Sequence, residues 1–401
     1  MKVSIIGQGY VGLTVALFAS ESHQIVGFDI DPLRIESLNK GLSHVEGVSP
    51  RDLASAIFQG KLRFTSDPKE IDGSDIIVIA VPTPLNHERK PDLSYIEKAC
   101  KTIGENLENP ALIINESTSY PGTVRNLIKP LIDKYSTKKN EHLFSVSPER
   151  VDPGREDFNQ KNTPRLYSGL SPAASKRTYE FYSAFCDNLI EVSTPEVAEA
   201  AKLFENSFRQ VNIALVNEFA QIAFALGISA RETLEAAGTK PYGFMKFSPS
   251  TGVGGHCIPV DPSYLAHVAA EHGVSATFIE RANEVNLEMP NYIASRVVAD
   301  NGGSIKGKRI IVVGVAYKAN IADLRETPAE ILIGELRRLG ASVSWHDPLV
   351  GQWKGEKSCE LAAADIAIVV TKHDVISVQA IMNSAPYVFD TTGKVGAARQ
   401  L

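Results

Sequence analysis

Lys2-Val-Ser-Ile-Ile6 leads into Gly7-Gln-Gly-Tyr-Val-Gly12 and then into Leu13-Thr-Val-Ala-Leu-Phe-Ala-Ser20, and this stretch decides the fold. A β-favouring run, a G-x-G-x-x-G turn and a helical pattern, in that order, make a strand-turn-helix unit. In such a unit the first glycine permits the tight turn, the second lets the backbone approach a pyrophosphate, and the third lets helix and strand pack closely. Twenty residues after Gly9, the strand Gln24-Ile-Val-Gly-Phe-Asp29 ends in a carboxylate placed to accept hydrogen bonds from an adenosine ribose. A 2′-phosphate would be repelled there, which favours NAD over NADP, although Arg34 nearby is a residue that can serve a phosphate.

Further strands extend the pattern. Asp75-Ile-Ile-Val-Ile-Ala-Val81 ends in Pro82-Thr-Pro84, and Ala111-Leu-Ile-Ile-Asn115 ends in Glu116-Ser-Thr-Ser-Tyr-Pro-Gly-Thr123. Ligands sit beyond the carboxyl ends of strands in an open parallel sheet, so Thr83 and Thr118 are candidates for the nicotinamide side of the cofactor. Their alternative is to cap ordinary turns. Later, Lys308-Arg-Ile-Ile-Val-Val-Gly-Val-Ala-Tyr-Lys318 starts the same logic again. Ser342-Val-Ser-Trp-His-Asp347 parallels the strand ending at Asp29, Asp365-Ile-Ala-Ile-Val-Val370 the one ending at Val81, and Tyr387-Val-Phe-Asp390 the run Ile113-Ile-Asn115. This second turn lacks the full glycine fingerprint. It should hold a different phosphate ligand or none, with Lys318 and Arg325 as cations that could face one. Between the two units, Ser193-Thr-Pro-Glu196 starts a helix that no glycine or proline interrupts before Gly227, about 30 residues and roughly 45 Å. The predicted fold is α/β: two Rossmann-like doubly wound parallel-sheet domains joined by a long central helix, divided at 1–190, 191–300 and 301–401.

Lys202, Asn206 and Arg209 fall at i, i+4 and i+7 on that helix and share a face, while Val197, Phe204, Phe208, Val211 and Leu215 form an apolar stripe elsewhere. A solvated polar face is the plain reading; a helix passing beside an interdomain cleft would give the three residues a function. The loop Ser250-Thr-Gly-Val-Gly-Gly-His-Cys-Ile-Pro-Val-Asp261 then delivers a cysteine just before a helix that Asp261 can cap and Pro262 can begin. Free N–H groups and the positive helix end favour a thiolate at Cys257. Cys100, Cys186 and Cys359 suit small core positions instead. The four cysteines form no C-x-x-C pair, so neither a disulfide framework nor a zinc site is indicated, and reduced thiols in the cytosol fit. The 401 residues include 41 basic and 47 acidic side chains, net −6, without long single-sign blocks. That distribution argues against nucleic acid or a membrane as the main partner. Residues 3–20 are apolar enough to resemble a signal peptide, but they carry the fingerprint glycines and run into a strand.

The runs 7–12, Val81-Pro-Thr-Pro84, Glu116-Ser-Thr118, Ser147-Pro-Glu-Arg150, 199–206, Gly254-Gly-His-Cys-Ile-Pro259 and 314–328, in this order over nearly the whole chain, resemble the nucleotide-sugar 6-dehydrogenases, which include UDP-glucose and UDP-N-acetylhexosamine 6-dehydrogenases. The resemblance implies four-electron oxidation of a UDP-sugar by NAD, with the sugar C6 between Cys257 and the nicotinamide. Cys257 would trap the aldehyde as a thiohemiacetal and then hold a thioester that water releases as a uronic acid. Lys202 with Asn206 corresponds to the oxyanion site, Glu149 and Asp261 to the carboxylates that manage protons and water, and Thr118 to the residue that helps place that water. The implied cofactor set is Gly7, Gly9, Tyr10, Val11, Gly12, Asp29, Arg34, Thr83, Thr118 and Arg325. The implied substrate set is Glu149, Arg150, Val151, Lys202, Asn206, Arg209, Phe247, Gly254 and Lys318, with no metal. The same resemblance implies a homodimer built on the middle helix and a C-terminal unit that binds the UDP moiety.

Val260 stands where the UDP-glucose branch usually has lysine, and Ser147-Pro-Glu-Arg-Val-Asp-Pro-Gly154 looks more like the N-acetylhexosamine branch. The expected substrate is therefore UDP-N-acetylglucosamine, oxidised to an aminouronic acid for a surface polysaccharide, with UDP-glucose or another UDP-N-acetylhexosamine as the close alternative. Ser248-Pro-Ser-Thr251 is less glycine-rich than is usual in either branch. Gln8 and Thr14 replace residues more common near the NAD turn without removing a fingerprint glycine. Two readings from other classes stay open: a two-electron hydroxyacid dehydrogenase, which would not need Cys257, and a non-catalytic NAD or UDP-sugar sensor.

Overall fold

A computed structural model describes residues 1–45, 47–139, 141–151 and 157–401. Contacts divide the chain into two compact units, Met1–Glu205 with Ser263–Val274, and Asn206–Pro262 with Ser275–Leu401. In the first unit β1 (Lys2–Ile6), β2 (Gln24–Phe28), β3 (Leu62–Thr65), β4 (Ile76–Ile79), β5 (Leu112–Asn115), β6 (Leu143–Val146), β7 (Arg165–Gly169) and β8 (Leu189–Glu191) form one sheet in the order β3-β2-β1-β4-β5-β6-β7-β8. Neighbours run parallel except β6 and β7, an exception to the expected all-parallel sheet. Helices α1 (Tyr10–Ala19), α2 (Pro32–Asn39), α3 (Pro50–Phe58), α4 (Ser94–Asn106), α5 (Lys129–Tyr135) and α6 (Pro172–Tyr182) belong to this unit.

The strands explain themselves. β4 reads Ile-Ile-Val-Ile and is buried at every position, as a strand covered on both faces must be. Alternate residues feed two cores: Ile5, Val78 and Ile114 pack with Leu13 on one face, whereas Ile6, Ile77, Ile79 and Ile113 pack with Ile96 and Ile103 on the other. Strand order reverses between β1 and β4, so the chain leaves their carboxyl ends towards opposite faces and opens a crevice there.

α7 (Pro195–Leu226) is a single 32-residue helix, and the boundary between the units falls inside it after Glu205. Its core face is Ala198, Leu203, Ala214, Val216, Ala220 and Ala223, whereas Val197, Phe204, Phe208 and Leu215 of the apolar stripe are exposed. α8 (Ala230–Ala237), α9 (Asp261–Glu271) and α10 (Thr277–Asp300) follow, and α9 starts at Asp261 itself, where a cap was expected. The second sheet contains β9 (Arg309–Val313) and β10 (Ser342–His346), with α11 (Pro328–Arg338) between them in sequence. A small hairpin, β11 (Gln352–Trp353) and β12 (Glu356–Lys357), precedes β13 (Ile366–Val369), α12 (Val378–Ser384), β14 (Tyr387–Asp390) and β15 (Arg399–Gln400). The order β10-β9-β13-β14-β15 is parallel throughout and repeats the β2-β1-β4-β5 arrangement of the first sheet, so both expected Rossmann-like domains are present. Among the described residues no helix is long and apolar enough to cross a membrane.

Candidate active site

Most cofactor candidates lie at the carboxyl ends of β1, β2 and β4, with Thr118 beyond β5 and Arg325 in the second unit. Gly7 leaves β1 at φ +92°, and a Cβ there would sit 2.5 Å from Ala80 O. Gly12 brings α1 so close to the turn that a Cβ would lie 1.8 Å from Gly7 O. Gly9 differs: nothing lies within 4 Å of its would-be Cβ, so the missing side chain leaves room for a ligand rather than for the protein. It caps α1 without a side-chain bond, and that helix end carries N–H donors suited to an anion. Tyr10 and Val11 are half-buried on the first turn. Asp29 is buried; its Oδ2 accepts from Gln8 N at 2.8 Å and Arg34 Nη1 at 2.9 Å, and its Oδ1 from Asp31 N at 3.0 Å. Arg34 is thus paired with the carboxylate expected to meet the ribose. A cavity of about 370 Å³ opens beside these groups, bounded by Gly7, Asp29, Arg34, Val81, Pro82 and Tyr95. Room at Gly9, an acceptor at Asp29 and this cavity fit a dinucleotide.

Ser117 ties the ends of β4 and β5 together, its Oγ donating to Val81 O at 2.8 Å and accepting from Val81 N at 2.9 Å. Thr83 and Thr118 follow on those two loops, the first buried and the second half-buried. Glu199 of α7 accepts from Gly122 N at 2.6 Å and Val124 N at 3.1 Å, which fastens the segment after Thr118 to the helix that carries Lys202 one turn on. Glu149 is buried. Its Oε1 accepts from Arg150 N (2.7 Å) and Val151 N (2.6 Å), and its Oε2 from Gln160 Nε2 and from Arg165 Nη2 (3.1 Å). Burial raises its proton affinity, but the Arg165 charge, these hydrogen bonds and the Lys202 charge outweigh it and hold the carboxyl below its usual range. Lys202 is itself buried on α7. The Arg150 guanidinium is engaged by Glu205 (2.6 and 3.2 Å) and Pro164 O (2.8 Å), and Val151 is half-buried. Asp152, Pro153 and Gly154 of the quoted motif lie outside the described residues.

In the second unit, Asn206 Nδ2 donates to Asp261 Oδ2 at 2.6 Å, and both residues are buried. Val260 N and Asp261 N both donate to Cys257 O, at 3.2 and 2.8 Å, forming the turn that launches α9. The Asp261 N–H is therefore spent on the Cys257 carbonyl. Cys257 is half-exposed. Its glycine loop is moulded on the segment after β9: a Cβ on Gly254 would lie 2.6 Å from Tyr317 Cβ, and Gly255 N donates to Arg325 O at 2.8 Å. The exposed Arg325 guanidinium bonds to Asp323, and its charge interacts with Cys257. Phe247 stacks edge-on against Phe208 with ring centroids 6.1 Å apart. Lys318 is half-buried, and Arg209 is exposed, unlike Lys202 and Asn206. Burial pushes Cys100 up to about 12 and Cys186 up to about 11, so neither competes as a thiolate, and Cys359 is half-buried.

The second glycine turn differs from the first. Asp347, the counterpart of Asp29, has a fully buried side chain that accepts from Val315 N (2.9 Å), Ala316 N (3.1 Å) and Leu349 N (3.0 Å) and meets His373 Nε2 at 3.0 Å. Asp347 is thus spent on the protein itself, where its counterpart Asp29 is expected to meet a ribose. Sequence reasoning passed over Arg165, Tyr182 and Gln160, which surround Glu149 and Glu116; a lone arginine heading the apolar strand Arg165-Leu-Tyr-Ser-Gly169 was the available signal.

Residues 1–186 match the NAD binding domain, residues 196–288 the central domain and residues 311–396 the UDP binding domain of the UDP-glucose/GDP-mannose dehydrogenase family. A UDP-N-acetyl-D-glucosamine 6-dehydrogenase of Pseudomonas aeruginosa is 35% identical over 356 residues, 87% of this chain and 83% of that protein. A UDP-N-acetyl-D-mannosamine dehydrogenase of Pyrococcus horikoshii is 34% identical over 379 residues, 93% of this chain and 90% of that protein. The solved structure of a UDP-D-ManNAc dehydrogenase from Pyrococcus horikoshii aligns with a TM-score of 0.90 at 31% identity, covering 100% of this chain and 99% of that one.

Proposed function

Because this chain belongs to the UDP-glucose/GDP-mannose dehydrogenase family, and is thereby an NAD-dependent oxidoreductase of UDP-sugars, we propose that it oxidises the C6 hydroxyl of UDP-N-acetylglucosamine to the uronic acid through Cys257. The observation that carries the reading is the Asn206–Asp261 bond, which joins the helix of Lys202 to the turn that holds a half-exposed Cys257. NAD, when bound, supplies the hydride acceptor for both oxidations. Cys257, as thiolate, adds to the C6 aldehyde and holds the thiohemiacetal, then the thioester. Lys202 and Asn206 stabilise the oxyanions that develop on addition and hydrolysis, with Asp261 orienting Asn206. Glu149, held as a carboxylate, takes a proton from the attacking water, which Thr118 helps to place.

Gly7, Gly9, Tyr10, Val11, Gly12, Asp29, Arg34 and Thr83 hold the cofactor in this reading, with Arg325 beside the cysteine loop. Val260 and the 35% identical N-acetylglucosamine relative favour the N-acetylglucosamine substrate. UDP-N-acetylmannosamine is the runner-up, because the Pyrococcus structure aligns with a TM-score of 0.90. The enzyme would act in the cytoplasm, and its product would serve a surface polysaccharide. The division into 1–190, 191–300 and 301–401 assigns NAD, dimer contact and UDP in turn. Exposed Phe204, Phe208, Leu215 and Ile222 on α7 are the apolar face a homodimer would cover.

The test is NADH formed per UDP-sugar consumed, across UDP-N-acetylglucosamine, UDP-N-acetylmannosamine, UDP-N-acetylgalactosamine and UDP-glucose. Two NADH per sugar, with steady turnover abolished in Cys257→Ala, is the expected result. One NADH that survives the substitution would replace this function with a two-electron dehydrogenase. Binding without any NADH would leave a sensor.

A further inference from the structure

In the first unit one guanidinium serves two buried carboxylates. Arg165, the first residue of β7, is 4% exposed, with Nη1 3.1 Å from Glu116 Oε1 and Nη2 3.1 Å from Glu149 Oε2. The pairing follows from the reversed strand. Ser145 on β6 faces Gly169 and Val146 faces Ser168, so the same register carried three residues on brings Glu149 level with Arg165. Glu116 arrives from the end of β5 on the other side of β6. Arg165 also donates to Ser147 Oγ at 3.2 Å and to Gln160 Oε1, and lies 4.4 Å above the Tyr182 ring.

Two carboxylates held by one guanidinium in a buried site titrate as a coupled pair, and the one with fewer compensating partners takes up the pair's first proton. Their surroundings are unequal. Glu149 accepts from two backbone N–H groups, Gln160 and Arg165. Glu116 accepts from the Tyr182 hydroxyl and Arg165 on one oxygen, and its Oε2 is buried without a hydrogen-bond partner. Burial pushes Glu116 up to about 7, whereas Glu149 is held below its usual range. The other ionisable groups facing the cluster are Tyr182 on α6, Cys186 just after it and Lys202 on α7. Burial raises both Tyr182 and Cys186, which leaves Lys202 as the second cation acting on Glu149.

We propose that Arg165 and Glu116 are positioning residues for Glu149: Glu116 keeps the shared proton, so that Arg165 can hold Glu149 ionised with its Oε2 fixed. The inference rests on the role given to Glu149 above. The first test does not use activity. In a Glu199→Gln background, which removes the other buried carboxyl that burial pushes up, the infrared band of a buried carboxylic acid should be present at pH 6, absent when Glu116→Gln is added, and shifted to a lower pH midpoint when Glu149→Gln is added, where the competing charge is gone. A band that survives Glu116→Gln, or a midpoint indifferent to Glu149→Gln, overturns the proposal.

The second test is the pH profile of kcat/KM with whichever UDP-sugar turns over. Arg165→Gln should move the acid limb upward by at least one pH unit, tenfold in proton affinity, and Arg165→Lys should restore it. An unmoved limb in folded Arg165→Gln also overturns the proposal. Undiminished turnover in Glu149→Gln would remove the catalytic reading of Glu149 instead, and the infrared result would still report the shared proton.

Discussion

Replacing Gly9 and Gly12 separately with alanine should separate ligand space from packing space within one turn. A Cβ on Gly12 would lie 1.8 Å from Gly7 O, so α1 or the turn must shift by about 1.6 Å to restore ordinary contact at 3.4 Å. Overpacking of this kind costs about 1–3 kcal/mol. For a unit of this size that lowers Tm by roughly 2–12 °C. Gly9 has φ −78° and ψ −161°, which alanine adopts, and nothing lies within 4 Å of its Cβ. Alanine is a poorer N-cap than glycine, but it also loses less backbone entropy on folding, and these effects of about 0.5–1 kcal/mol nearly cancel. Gly9→Ala should therefore keep Tm within a degree or two, yet weaken NAD at least tenfold, about 1.4 kcal/mol, because the methyl occupies the space left for the pyrophosphate. Thermal unfolding and calorimetric NAD titration of both variants read the two effects. Unfolding of Gly9→Ala several degrees early, or NAD binding by it at wild-type strength, would refute the assignment of that space to the cofactor.

Two further outcomes follow from buried carboxylates. Asp347→Asn should destabilise the second unit by about 3 kcal/mol, since the carboxylate is fully buried against two turn amides and His373. Burial opposes ionisation of Asp347, but the His373 and amide bonds prevail and lower its proton affinity. Its contribution is therefore present above the ordinary value of 3.8 and lost as the pH falls through the lower folded value, so acid unfolding should steepen in the wild type and not in the variant. Glu199 has the opposite sign. Burial pushes it up to about 8 against the Gly122 and Val124 N–H bonds, so its contribution is full below 4.5 and lost as the pH rises through about 8. Urea midpoints should fall from pH 5 to pH 8 in the wild type more than in Glu199→Gln, and parallel curves would show that Glu199 is already ionised at pH 5.

What could be read from the sequence, and what could not, divides along a physical line. The first turn is legible because its glycines answer to steric limits at fixed spacing: Gly7 and Gly12 each exclude a Cβ, and β4 beside them is apolar throughout. The cysteine loop is legible for a related reason, as Gly254 and Gly255 leave no room for side chains against Tyr317. These are local demands, so they mark consecutive residues. The apolar stripe of α7 is half legible: periodicity separates Phe204, Phe208 and Leu215 from the core face, but nothing in the period says what covers them. Arg165 is not legible, because its partners are chosen by sheet topology. In the all-parallel sheet expected from the alternating pattern, the first residue of a strand lies at the end opposite the ligand crevice. β7 instead runs antiparallel to β6, which delivers that first residue to the carboxyl ends of β5 and β6, where Glu116 and Glu149 leave the sheet. A single reversed strand thereby turns an unremarkable arginine into the cation that both carboxylates share.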